Sequence, residues 1–127
     1  MPVSRISLRR GHTAAYLDAL SAGLHQALVE RFEVPADDRF QLIQQFDPAE
    51  MRFDRHYLGG PRSDDWVLIE ITAGRPRSAD TKRAFYRRLA ELLALSPGLA
   101  PADLMVVIRH NALEDWSFAD GHASMLP

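Results

Sequence analysis

The chain has 127 residues, of which 46% are hydrophobic and 25% charged, and its formal charge is −2; that size suits one domain (1–127) with a real core, and the missing basic excess argues against a nucleic-acid partner. There is no cysteine, which excludes a disulfide, a thiol nucleophile and a thiolate metal site. No apolar run reaches the length of a membrane span and no apolar leader opens the chain, so no membrane partner and a cytoplasmic location are the expectations.

Pro2 follows the initiating methionine. Methionine is commonly trimmed before so small a residue, which leaves a secondary amine at Pro2. Neighbouring positive charge would disfavour the charged form of that amine. Retention of Met1 would block it. The stretch Pro2 to Leu8 alternates as a short strand. His12 to Phe32 then reads as a helix, with Leu17, Leu20, Leu24, Ala27, Leu28 and Phe32 forming an apolar stripe. Thr13 is placed to cap it, and Pro35 stops any continuation. Arg39 to Phe46 predicts a second strand.

Asp47 to Asp65 is polar and turn-rich, with Asp-Pro-Ala-Glu and Leu-Gly-Gly-Pro within it, and Met51-Arg52-Phe53 predicts a short strand there. Tyr57 in this segment is a candidate pocket wall. Trp66 to Ala73 predicts the next long strand. Ser78 caps a helix through about Leu95, with Phe85, Leu89, Leu92 and Leu93 as its buried stripe, and Pro97-Gly98 ends it. Leu104 to His110 is the fourth long strand.

The order strand, helix, proline, strand thus occurs twice, at about 2–46 and 66–110. Pro35-Ala36-Asp37 and Pro101-Ala102-Asp103 mark the matching points. The fold class expected is α/β: tandem β-α-β units, each with a right-handed crossover, forming a four-stranded mixed sheet with two helices on one face. The other face, carrying Ile6, Leu42, Ile69 and Val107 or their alternates, would be an apolar patch that oligomerisation covers.

Three groups of residues bear chemistry. Arg75 and Arg77 flank Pro76 in the loop after the third strand and ahead of a helix N-terminus. Two guanidiniums at that spacing can clamp a small carboxylate. Asp37 and Asp38 precede the second strand, so a parallel pairing of the first two strands brings them to the edge where Pro2 sits; either can hold an ammonium or order a water, and either can be a simple turn residue. Trp116 and Phe118 follow the last strand and fit a pocket wall or a subunit seam. The five histidines show no ligand spacing, and no phosphate-binding loop or metal motif is present. No cofactor and no metal are expected.

Pro2, the tandem units, Pro35-Ala36-Asp37-Asp38-Arg39-Phe40-Gln41, Arg75-Pro76-Arg77-Ser78 and Asn111 followed by Asp115-Trp116-Ser117-Phe118 resemble the tautomerase superfamily, and within it the malonate semialdehyde decarboxylase branch. The resemblance implies a homotrimer acting on a small carboxylate. It implies a catalytic amine at Pro2, its carboxylate partner at Asp38, substrate-binding arginines at Arg75 and Arg77, and an aromatic wall of Trp116 and Phe118. The expected reaction is decarboxylation of a small 3-oxo acid without a cofactor. Enol–keto tautomerisation of a 2-oxo acid such as phenylpyruvate is the alternative, followed by hydration of an unsaturated acid, and then a non-catalytic oligomeric binding protein.

Overall fold

The computed structural model describes residues 1–127. Four strands, β1 (Pro2–Arg9), β2 (Phe40–Phe46), β3 (Val67–Ala73) and β4 (Leu104–His110), and two helices, α1 (Ala14–Arg31) and α2 (Ala79–Leu95), form the order β1-α1-β2-β3-α2-β4. The sheet order is β2-β1-β3-β4. β1 and β2 are parallel, as are β3 and β4, while the central strands β1 and β3 are antiparallel. Each β-α-β unit therefore contributes one inner strand and one edge strand. No helix is long and apolar enough to cross a membrane.

Both helices begin where their hydroxyl caps stand. Thr13 Oγ1 accepts the Tyr16 N–H at 3.1 Å, and Ser78 Oγ accepts the Thr81 N–H at 3.1 Å. Each satisfies one backbone donor that the first helical turn leaves free. α2 ends with Gly98 at φ +98, and the N–H groups of Gly98 and Leu99 both return to the Leu93 carbonyl. Gly23 serves packing instead: a Cβ there would come within 2.7 Å of the Leu93 Cδ2 methyl, so a larger residue would force the Leu93 side chain to shift between α1 and α2.

One cluster of sixteen buried apolar side chains joins the layers. Ile6 and Leu8 of β1 and Val67, Ile69 and Ile71 of β3 meet Leu20, Leu24 and Leu28 of α1 and Phe85, Leu89 and Leu93 of α2. The pairing of Ile6 with Ile69 and of Ser4 with Ile71 puts the inward residues of β1 and β3 on one face by register. Burying each large aliphatic side chain contributes about 1.5–3 kcal/mol.

The sheet's other face differs from the expectation in two ways. Ile6 and Ile69 lie under the helices, so that face is carried by the alternates Val3, Arg5 and Ser7 on β1 and Leu68, Glu70 and Thr72 on β3, next to Leu42 and Val107. It is also less apolar than expected. Val3, Phe40, Leu42 and Met105 are exposed on it, but Arg5 bonds Gln44 at 2.7 Å and Arg109 pairs with Glu70 at 3.0 Å. The predicted strand at Met51–Phe53 does not form. Pro48–Glu50 is a single 3-10 turn, capped by Glu50 accepting the Asp47 N–H, and the chain then runs without strand partners to β3.

Candidate active site

The amino-terminal end of β1 and the carboxyl end of β3 lie side by side, because Pro2 pairs with Ala73 in the antiparallel register. The loop Gly74–Ser78 leaves that point and turns into α2. The parallel pairing of Val3 with Phe40 brings the start of β2, and Asp37 and Asp38 just before it, to the same edge. The turn is closed by the Asp38 N–H on the Pro35 carbonyl at 3.1 Å. Topology alone thus gathers the terminal amine, two carboxylates and two arginines.

They line one cavity of about 420 Å³, with Met1, Glu33, Asp38, Arg75, Arg77 and Phe118 on its walls. Pro35, Asp37, Phe40 and Met125 complete it. Pro2 is buried. The Met1 α-amine stands against the Asp38 carboxylate. Burial, with Arg77 and then Arg75 adding repulsion, pulls that amine down from 8.0 to about 6. The Asp38 carboxylate acts in the opposite sense by favouring the charged amine.

The two arginines are held differently. Arg77 is only 8% exposed. Its Nε donates to the Phe32 carbonyl at 3.2 Å, its Nη1 to the Arg75 carbonyl at 2.6 Å, and its guanidinium lies over the Phe32 ring at 4.4 Å. Burial and the Arg75 charge lower its pKa, with Glu33 opposing. Arg75 is half-exposed and pairs with the Glu33 carboxylate at 2.7 Å. A short helix-terminal turn, Phe32-Glu33, therefore carries partners for both cations. Nearby His110 is pulled down by burial and by the Lys82 and Arg77 charges, which favours a neutral ring beside the arginine loop.

The aromatic residues form a continuous stack at the cavity edge. Trp116 and Phe118 rings lie parallel with centroids 5.4 Å apart, and Phe118 tilts against Phe40 at 5.7 Å. Trp116 Nε1 donates to Asn111 Oδ1 at 2.7 Å, which fixes the ring just after β4. Phe118 reaches the cavity wall, while Trp116 backs it and approaches Gly74, whose absent side chain leaves room: a Cβ there would lie 2.8 Å from Trp116 Nε1 and from Met1 Sδ. The tail folds back through the Phe118 N–H on Ser124 Oγ at 3.0 Å, which brings Met125 over the site.

Within one chain Tyr57 is not part of this group. It is 71% exposed and lines a larger hollow of about 550 Å³ with Phe53, Leu58, Trp66 and Met105. That hollow is mainly apolar, and its polar residues are engaged locally: Asp54 accepts the His56 and Tyr57 N–H groups, and Arg62 donates to the Asp54 and Tyr57 carbonyls. The terminal residue Met1, Asp38, Arg75 and Arg77 line the smaller cavity instead. No group of three His, Asp or Glu is placed to hold a metal ion.

Two acids escaped the sequence reading. Glu33 carries no motif and sits at a helix end. In the sequence Asp103 stands only as part of a repeat marker. It is buried and accepts from the Ser63 N–H and Oγ, both at 2.6 Å, which ties the 47–65 segment to the start of β4.

Sequence models of the tautomerase enzyme family match residues 38–119 and 2–59. A probable tautomerase of Bacillus subtilis (strain 168), YusQ, is 36% identical over 126 residues, covering 99% of both chains. The crystal structure of malonate semialdehyde decarboxylase, described with decarboxylase and hydratase activities, superposes with a TM-score of 0.91 at 36% identity, covering 97% of this chain and 95% of that one. A fused 4-OT described as a symmetric trimer shares the fold, with a TM-score of 0.79 at 22% identity over 97% of this chain and 96% of that one.

Proposed function

The chain belongs to the tautomerase superfamily, in the branch of malonate semialdehyde decarboxylase, and from that premise we propose that it decarboxylates a small 3-oxo acid with Pro2 as its catalytic amine. The observation that carries this reading is the convergence of the terminal amine, Asp38, Arg75 and Arg77 on one cavity at the end of β1. Removal of Met1 would vacate part of that cavity and free the Pro2 nitrogen among the groups that now surround the Met1 amine.

The reaction needs few parts. The guanidiniums of Arg75 and Arg77 bind the substrate carboxylate and turn it out of the plane of the 3-carbonyl, where the breaking carbon–carbon bond overlaps the acceptor. Protonated Pro2 donates to the carbonyl oxygen. The electron pair of the broken bond moves toward that oxygen as carbon dioxide leaves, and the enol then takes a solvent proton at carbon and returns its hydroxyl proton to Pro2 to give the aldehyde. Asp38 stabilises the charged amine before the transfer. Phe118, backed by Trp116, limits water around the clamped carboxylate, which strengthens its attraction to the arginines. A neutral Pro2 supports a second route, in which the amine adds to the carbonyl, water leaves, and the iminium receives the electron pair as carbon dioxide departs; the enamine then takes a proton at carbon, and water hydrolyses the iminium to release the aldehyde and Pro2.

One observation favours a second reading. The environment that lowers the Met1 amine to about 6 suits a base at neutral pH, as enol–keto tautomerisation of a 2-oxo acid requires. A homotrimer would cover Val3, Phe40, Leu42 and Met105 on the open face of the sheet. The deciding experiment incubates the Met1-free protein with malonate semialdehyde and, separately, with the enol of phenylpyruvate. Release of carbon dioxide with acetaldehyde at a kcat/KM well above that for enol loss is expected. Rapid enol loss without carbon dioxide release would replace decarboxylation by tautomerisation. Failure of both would leave neither reading standing.

A further inference from the structure

Resting on the reading of this cavity as a carboxylate site, we propose that Glu33 is the residue that restricts it to singly charged acids. Glu33 follows the α1 cap in the left-handed conformation, φ +58. The helix closes around it, with the Phe32 and Val34 N–H groups both reaching the Leu28 carbonyl at 3.0 and 3.3 Å. Glycine is the residue that normally takes this position. A side chain with a Cβ is strained there unless its surroundings hold it.

What holds it is the site. Glu33 Oε2 lies 2.7 Å from Arg75 Nη1, and the Glu33 carbonyl accepts from Arg75 Nη2 at 3.5 Å. The neighbouring Phe32 carbonyl accepts from Arg77. Two guanidiniums and three carboxylates, Glu33, Asp37 and Asp38, line the cavity. Asp38 is engaged with the terminal amine, and of the three only Glu33 touches an arginine of the clamp. A single substrate carboxylate can share the two guanidiniums with it. A second carboxylate has no free cation to meet, because the amine works on the carbonyl, and it lies against the Glu33 charge. Glu33 thus acts as a counter-ion built into the clamp, and it selects by repulsion as much as by attraction.

The test is an NMR titration of propionate and of malonate, at one ionic strength, into Met1-free wild-type protein and its Glu33→Gln, Glu33→Gly and Arg75→Ala variants. Glu33→Gln should improve malonate binding about tenfold relative to propionate, as removal of one charge at this range implies. Glu33→Gly should change the ratio in the same direction and should melt above Glu33→Gln, because it also relieves the left-handed backbone. Should one variant fail to fold, the other carries the comparison. An unchanged malonate-to-propionate ratio, with both acids lost in Arg75→Ala, would overturn the role of Glu33 and leave the carboxylate site intact. Binding of neither acid to the wild-type protein would overturn both.

Discussion

Arg75 and Arg77 stand two residues apart, yet their removal should separate binding from stability. Arg77→Ala strips a charged donor from the Phe32 and Arg75 carbonyls and removes the cation over the Phe32 ring. Hydrogen bonds to charged groups contribute about 1.5–3 kcal/mol each, and the contacts are not additive, so a loss of about 2–4 kcal/mol is expected. For a chain of this size that lowers the melting midpoint by about 10 °C. Arg75 is half-exposed, and its pair with Glu33 contributes at most about 1 kcal/mol. Arg75→Ala should therefore melt within about 3 °C of wild type. It should nevertheless raise KM for a 3-oxo acid about 30–100-fold, the worth of one charge-assisted contact to the substrate carboxylate. Arg77→Lys keeps the charge near the amine but not the planar fork that reaches two carbonyls, so it should recover only part of the stability. Thermal denaturation and steady-state kinetics of the same preparations read both quantities. Equal destabilisation by the two alanine variants, or an unchanged KM in Arg75→Ala, would refute the division of labour.

The chain that keeps Met1 should gain stability as pH rises from about 6 to 8 and then level off: its amine sits near 6 when folded and near 8.0 when unfolded, so the unfolded state binds more protons in that window. Urea midpoints across that range, compared with a form acetylated at Met1, check it; a flat difference would remove the amine from the account. Gly74→Ala should displace Trp116 from Asn111, because the new Cβ would lie 2.8 Å from its indole nitrogen. Turnover should fall at least tenfold with the oligomer intact by light scattering, and unaltered turnover would dismiss Trp116 as a wall. Ser78→Ala should cost about 1 kcal/mol in urea denaturation through loss of the α2 cap, while Ser78→Asn should restore most of it.

The elements that place this site were legible in the sequence because their signals are local. Thr13 and Ser78 mark helix starts through bonds three residues long, and the apolar run Trp66 to Ala73 marks β3, although it is nearly apolar on both faces and only the structure shows Val67, Ile69 and Ile71 turned to the core. One topological assumption, the parallel pairing of β1 with β2, brings Asp37 and Asp38 to the edge of the terminal amine; only the family resemblance singles out Asp38, the one that stands against the amine. What escaped depends on relations between elements. Alternation groups Ile6 with Leu8 but does not say which side the helices take, so the two faces of the sheet were mixed. Met51–Phe53 has strand-like residues but no free sheet edge beside it. Tyr57 looked like a wall because it is aromatic, yet Asp54 folds its turn around another hollow. Glu33 was invisible because nothing in its type announces a left-handed helix end; only φ and the contact with Arg75 reveal it.

The central claim is that an amine at Pro2 performs the chemistry. The direct measurement is kcat/KM for carbon dioxide release from malonate semialdehyde by Met1-free wild type, by Pro2→Ala and by wild type with Met1 retained, each with its amino terminus verified by mass spectrometry. The account predicts a fall of about 10²–10⁴ for Pro2→Ala, the range of acid–base assistance by a positioned group, and near-complete loss when Met1 blocks the nitrogen. Wild-type turnover in Pro2→Ala, or in the Met1-bearing chain, would contradict it.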